Sequence, residues 1–199
     1  MLRCPDSAPS SMPSTLSRVP KRRWTYADYC KIPPDRKRHE IIDGRHYVNP
    51  GPSPDHQSVG GRLYIWLFMA TEHRGRGRVF FAPLDVHLGP GTVVQPDVVF
   101  MRVRKASIIG RKKLVGAPDL VIEVLSPSNR AHDRTRKFSR YERAGVREYW
   151  LVDPDACTVE PFVLRRGKYV AMPVETESIT LRVMRGVTID LREVWSKPR

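Results

Sequence analysis

The sequence predicts a mixed α/β fold in which helices cover a mixed β-sheet. Two observations carry this prediction. Short β-rich apolar runs, such as Leu120–Val124, are interleaved with segments of helical period. The connections also differ in kind: the turn Gly89-Pro90-Gly91 joins one pair of strands, while another pair is joined only through a helix. A tight turn makes antiparallel neighbours and a helical crossover makes parallel ones, so the sheet has to be mixed. With 199 residues, 40% of them hydrophobic, the chain fits one ordinary domain able to bury its own core.

Residues 1–23 hold five serines and four prolines, show no hydrophobic period and end in Lys21-Arg22-Arg23, the composition of a flexible basic tail. The domain is expected over 24–199. Thr25 reads as the N-cap of a short helix through Lys31, stopped by Pro33-Pro34. HEIIDGRHYV reads as a hairpin around Asp43-Gly44. From Pro54, apolar groups at Val59, Leu63, Trp66, Leu67 and Ala70 keep a spacing of three and four, which predicts a long helix packed on something flat. Gly60-Gly61 inside it is expected to admit a second backbone. Three strands follow in RVFFAPLDVHL, VVQPDVVFMR and APDLVIEVLSPSNR; a helix spans about Ala131 to Ala144, ended by Gly145; VREYWLVDP is the next strand. TVEPFVLRRGKYVAMP and LRVMRGVTIDL read as hairpins that extend or cap the sheet.

The net charge of +14 makes a polyanion the first partner to consider. Cys4, Cys30 and Cys157 are isolated and odd in number, which suggests neither a disulfide framework nor a zinc knuckle. No run approaches the ~18 apolar residues of a membrane helix, and the N-terminus lacks the apolar centre of a secretory signal. A cytoplasmic protein is expected.

Two carboxylates interrupt the apolar strands. In a strand, residues two apart share a face, so Asp97 points with Gln95 and Val99, and Glu123 with Asp119, Val121 and Leu125. If the two strands are neighbours, the acids meet, and their repulsion then requires a proton or a cation between them. One or two carboxylates completed by water and substrate phosphate is the usual magnesium arrangement. Glu40, flanked by Ile41 and Ile42, is a third acid. Lys137 stands four residues before Tyr141, beside the helix stripe Phe138, Tyr141 and Ala144, where its stem can lie on the sheet. Each residue taken alone has a plainer reading: an edge-strand guard for either acid, a solvated helix face for Lys137.

In this order, HEIIDG, SPDHQ, FAPLDVHL, QPDVVF, APDLVIEVLSPS, the helical K-x-x-x-Y and AGVREYWLVDP resemble the Uma-two family, a group within the PD-(D/E)XK nuclease superfamily, from about Trp24 to the C-terminus. The resemblance implies a restriction-endonuclease-like core. It implies that Asp97 and Glu123 hold magnesium, replaceable by manganese, and that Glu40 is an additional acid. Where the superfamily's usual lysine would stand, two residues after the strand acid, this chain has Leu125, so Lys137 from the following helix takes that role. The implied reaction is metal-assisted hydrolysis of DNA phosphodiesters. The alternative is a nucleic-acid-binding or partner protein that kept the fold without the chemistry; RNA or branched DNA are further substrates.

Gln95 and His56 are candidates for groups that support the acids. The stretch Met101–Lys113 carries Arg102, Arg104, Lys105, Arg111, Lys112 and Lys113 and no acid. Lying between the two acid-bearing strands, it is expected to border the site and grip phosphates. A homodimer is the expectation for double-strand cutting, with the Val146–Val152 strand as its interface.

Overall fold

The structure, a computed structural model, describes residues 22–35, 37–127 and 129–196. The tail expected over 1–23 lies outside these residues except for Arg22 and Arg23, and Arg22 pairs with Asp28 at 2.6 Å. Helix α1 (Tyr26–Tyr29) starts at Thr25, whose hydroxyl and backbone N–H exchange hydrogen bonds with Asp28 in a capping box. Strands β1 (Arg38–Ile42) and β2 (Arg45–Asn49) form the expected hairpin. Asp43 and Gly44 both adopt positive φ, 51° and 76°, as the two-residue turn requires.

Helix α2 (Pro54–Leu67) is capped by Ser53 and continues as a π turn over Phe68–Glu72. The remaining strands are β3 (Gly77–Phe81), β4 (Val86–His87), β5 (Val93–Val94), β6 (Val98–Arg102), β7 (Leu114–Val115), β8 (Leu120–Val124), β9 (Glu148–Asp153), β10 (Thr158–Arg165), β11 (Lys168–Ala171), β12 (Ser178–Thr180) and β13 (Thr188–Asp190). Between β8 and β9 the chain runs through α3 (Arg130–His132), a π segment (Asp133–Lys137) and α4 (Phe138–Ala144). Gly145, at φ 84°, caps α4 in the left-handed conformation that ends helices. The last helix is α5 (Leu191–Trp195).

Six strands form one sheet in the order β11-β10-β9-β8-β6-β3, five form a second in the order β2-β1-β5-β4-β7, and β12-β13 stand apart. The β8–β9 pair, joined through the helices, is parallel, while β4–β5 and β6–β8 are antiparallel. Residue alternation sorts the six-stranded sheet into two cores. Val98, Phe100, Leu120 and Ile122 pack with α2 and the C-terminal elements on one face. Val99, Met101, Val121 and Leu151 pack with Tyr141 and the five-stranded sheet on the other.

Four expectations need correction. RVFFAPLDVHL and VVQPDVVFMR are each two strands, split at Ala82–Asp85 and Gln95–Asp97, and each half joins a different sheet. Asp97 therefore stands just before β6, and Val94 packs on the same side as Val99 rather than the opposite one. The physical reason is that Pro83 and Pro96 cannot donate to a ladder, so the chain changes sheets there. No backbone crowds Gly60-Gly61: a Cβ on Gly60 would meet only Val124 Cγ2, at 3.9 Å, and one on Gly61 nothing within 4 Å. Strand β9 cannot be a dimer interface, since it lies between β8 and β10 with all six residues buried. LRVMRGVTIDL is the second half of a hairpin that begins at Ser178.

Candidate active site

The site lies where the two sheets meet the helix between β8 and β9. Strands β6 and β8 pair with Val98 opposite Ile122, so Asp97 and Glu123 stand at the next step of that register. The Val124 N–H donates to Asp97 Oδ2 at 2.8 Å, which ties the aspartate to the glutamate's strand. Strand β8 is interior and wholly buried, and the edge-guard reading of Glu123 does not apply to it.

Three carboxylates converge on one ammonium. Lys137 Nζ is 3.0 Å from Glu40 Oε1, 3.1 Å from Glu123 Oε1 and 3.3 Å from Asp133 Oδ1. Its side chain is only 2% exposed and the three acids are fully buried. Burial opposes the lysine's charge, but Glu123, Glu40 and Asp133 outweigh it and raise its pKa well above the usual value. Tyr141 donates its hydroxyl to Glu123 Oε1 at 2.6 Å, and the Gln95 N–H and Asn49 amide bond the two oxygens of Glu40. The helix thus delivers Asp133, Lys137 and Tyr141 at successive spacings of four, all to the sheet side.

A second cluster surrounds Asp97. Arg38 Nη1 donates to Oδ1 at 2.9 Å and His56 Nε2 stands 3.2 Å from Oδ2. Arg38 also reaches the Gln95 carbonyl. Gln95 supports the site through its main chain; its side-chain amide is held away by Tyr29 and Asp85.

The acids fall into two electrostatic classes. Burial alone would raise Asp97, yet the His56 hydrogen bond and the Arg38 charge hold it at about 2. Glu40 is lowered too, with Lys137, the Gln95 N–H and Arg38 overcoming its burial. Burial together with neighbouring carboxylates drives Glu123 well above the usual range and brings Asp133 to about 6, despite Lys137. Carboxyls pushed in opposite directions within one site are a feature of functional centres and of structural ion-pair networks alike.

These shifts set a pH dependence. Asp97, lowered, stabilises the fold above pH ~4 by about 2 kcal/mol, lost as pH falls through 2. Asp133, raised, acts in the opposite sense: its penalty is absent below pH ~4 and complete above pH 6, at about 3 kcal/mol. Asp133→Asn is therefore expected to be more stable than the parent at pH 7.5 and no more stable near pH 4. Urea unfolding at both pH values checks this; equal midpoints at pH 7.5 contradict it.

Glu123 Oε2 is buried without a hydrogen-bond partner among the described residues. Among the described residues, Glu40, Asp97, Glu123 and Asp133 pair with Arg38 and Lys137 as permanent cations, an excess of two negative charges when all are ionised. Among the described residues no three His, Cys, Asp or Glu side chains form a ready-made cation cage, because the ammonium and guanidinium stand between the acids. A hard divalent ion held by two carboxylates and waters needs no such cage, so the oxygen donors and the charge excess fit magnesium. A cavity of about 20 Å³ bounded by Arg38, His56 and Lys137 has room for one water.

The expected residues Glu40, Asp97, Glu123, Lys137 and His56 are thus brought together. Arg102 and Lys105 are not: they bind Asp119 at the far end of β6 and β8, at 2.7 and 3.6 Å. With ~3.3 Å of rise per residue, the length of β6 separates Arg102 from Asp97. Lys113 lies over the Tyr26 ring, 3.1 Å from its centroid. The expectation that this loop borders the site is corrected for Arg102 and Lys105. Arg38 and Asp133 were not anticipated, though both had a signal: Arg38 precedes Glu40 by two in a strand, and Asp133 precedes Lys137 by four in a helix.

Residues 26–192 match the sequence model of the Uma2 family, whose description reads "Putative restriction endonuclease". A curated relative, the uncharacterized protein slr1290 of Synechocystis sp. (strain ATCC 27184 / PCC 6803 / Kazusa), is 30% identical over 130 residues, which make up 63% of this chain and 65% of that protein. A crystal structure titled as a putative nuclease belonging to DUF820, from Anabaena variabilis ATCC 29413, superposes with a TM-score of 0.72 at 19% identity, covering 86% of this chain and 97% of the other. That likeness establishes a shared fold. Because the family match spans nearly all of the described residues, the chain belongs to the Uma2 family.

Proposed function

We propose that the protein is a magnesium-dependent endonuclease that hydrolyses phosphodiester bonds of DNA. The observation that carries this reading is the unpartnered, buried Oε2 of Glu123 in a cluster with more carboxylates than cations. Asp97 and Glu123 would hold the metal, with manganese able to replace magnesium. The ion, when bound, polarises the scissile phosphate and lowers the pKa of the attacking water.

The protein's own groups do the rest. Lys137, locked by three carboxylates, keeps its proton at all working pH values and directs its N–H donors without reorganisation. Its N–H donors are directed at the three carboxylates, and its charge stabilises the phosphate oxygens as they gain negative charge. Arg38 offers a second fixed cation, and with His56 it sets the orientation of the Asp97 carboxylate. Glu40 and Asp133 hold the lysine rather than the substrate.

One feature favours a second reading, a nucleic-acid-binding protein without catalysis. Both Asp97 oxygens already have partners, in Arg38, His56 and the Val124 N–H. Plasmid nicking separates the two. Supercoiled DNA is expected to be nicked with magnesium or manganese and left intact with EDTA or by Asp97→Asn; cutting by Asp97→Asn at the parental rate would refute the endonuclease reading.

A further inference from the structure

Beside the acids lies a cleft of about 560 Å³, within the size range of ligand pockets, about 300–1,000 Å³. Its lining combines two kinds of group. Arg38, His56 and Asp97 belong to the site just described, while Tyr64 and Phe81 supply aromatic surface. The two rings lie 4.7 Å apart, centroid to centroid, at 56°. Phe81 is 57% exposed and its neighbour in the cleft, Ile65, 59% exposed, so large apolar groups face water directly beside a charged site.

The rest of the lining includes Gly60 and Gly61, in the interior of α2. Glycine is among the poorest helix formers, and packing does not explain this pair, since a Cβ on Gly61 would meet nothing within 4 Å. What the missing side chains preserve is the space of the cleft. The aromatic wall is also fixed relative to the catalytic group: Phe81 pairs with Val98 across β3 and β6, and the Ala82 N–H donates to the Asp97 carbonyl at 2.9 Å.

We propose that this cleft receives an unpaired nucleobase adjacent to the scissile phosphate, so that the preferred substrate is single-stranded or frayed at that nucleotide. The inference rests on the endonuclease reading and adds the substrate class to it. A nucleotide joins an anionic group to a flat π-face, and the cleft is lined by Lys37 and by Arg38, which also pairs with Asp97, together with the aromatic Tyr64 and Phe81. A base inside an intact duplex keeps both faces stacked on its neighbours and cannot use that shelf. Stacking on aromatic side chains accepts any base, which matches a cleft whose aromatic half is apolar.

The test is fluorescence anisotropy of a labelled 12-mer DNA, single-stranded or annealed to its complement, with the full chain in calcium buffer. The parent is expected to bind the single strand at least tenfold more tightly. Tyr64→Ala combined with Phe81→Ala, and separately Gly61→Leu, are expected to weaken single-strand binding about tenfold and leave duplex binding unchanged. Gly61→Leu is a folding control, because leucine favours the helix and open space receives it; its melting temperature should not fall. Equal parental affinity for the two DNAs, or variants that hold the single strand like the parent, would overturn the inference. So would a concentration-dependent dimer that the same variants abolish, which would assign the cleft to a second copy of the chain. Failure of the endonuclease reading looks different: Asp97→Asn then nicks plasmid as the parent does, whatever the strand preference.

Discussion

Glu123→Gln is expected to lower strand cleavage about 10³-fold, the scale of several kcal/mol of lost transition-state stabilisation at a metal-assisted centre. The glutamine keeps the shape of the side chain and an oxygen able to accept from Lys137 and Tyr141. It removes the carboxylate charge, and with it the anionic oxygen that has no partner among the described residues. Burial already disfavours ionised Glu123, so the neutral variant should fold without penalty. Loss of cleavage with an unchanged unfolding midpoint is the expected pair of results, read by plasmid nicking and urea unfolding on the same preparation. Cleavage within a fewfold of the parent would remove Glu123 from the metal site.

Lys137→Met is expected to damage the fold itself, by about 3–5 kcal/mol at pH 8, the usual consequence of leaving buried charge without its partner. Glu40, Glu123 and Asp133 would then face one another across a buried space with no ammonium between them. The acids can escape by taking up protons, so the destabilisation should shrink as pH falls from 8 to 5. Adding Glu40→Gln and Glu123→Gln should restore much of the lost stability, because it leaves one unpaired buried carboxylate, Asp133, in place of three. Urea unfolding across that pH range checks both expectations. A pH-independent loss would indicate a packing defect in place of an electrostatic one. Cleavage should be absent from Lys137→Met and from the restored variant alike, since Leu125, two residues after Glu123, carries no charge and cannot substitute.

Much of the site was legible in the sequence because its signals are local. Glu123 stands out as a charge within a β-rich apolar run, and the helix that follows places Lys137 and Tyr141 on one side by periodicity alone. Asp43-Gly44 and Gly145 mark chain reversals through the backbone conformations they allow, and the structure finds positive φ at all three. What failed was information carried by tertiary contact. β-rich apolar residues stand on both sides of Ala82-Pro83 and of Gln95-Pro96-Asp97, so each string reads as one strand, although its two sides join different sheets. The basic loop follows β6 in sequence, yet the full length of that strand carries Arg102 away from Asp97 and towards Asp119. Arg38 carries no mark of its own in a chain with 35 lysines and arginines; only the fold shows which of them faces a carboxylate.

The most direct test is anomalous diffraction from crystals soaked in manganese, for the parent and for Glu123→Gln. The parent should bind an ion between Asp97 and Glu123, in contact with Glu123 Oε2, and the variant should not. An enzyme that nicks DNA in manganese yet shows its ion elsewhere, or binds it equally well without the Glu123 carboxylate, would contradict the assignment of this cluster as the catalytic centre.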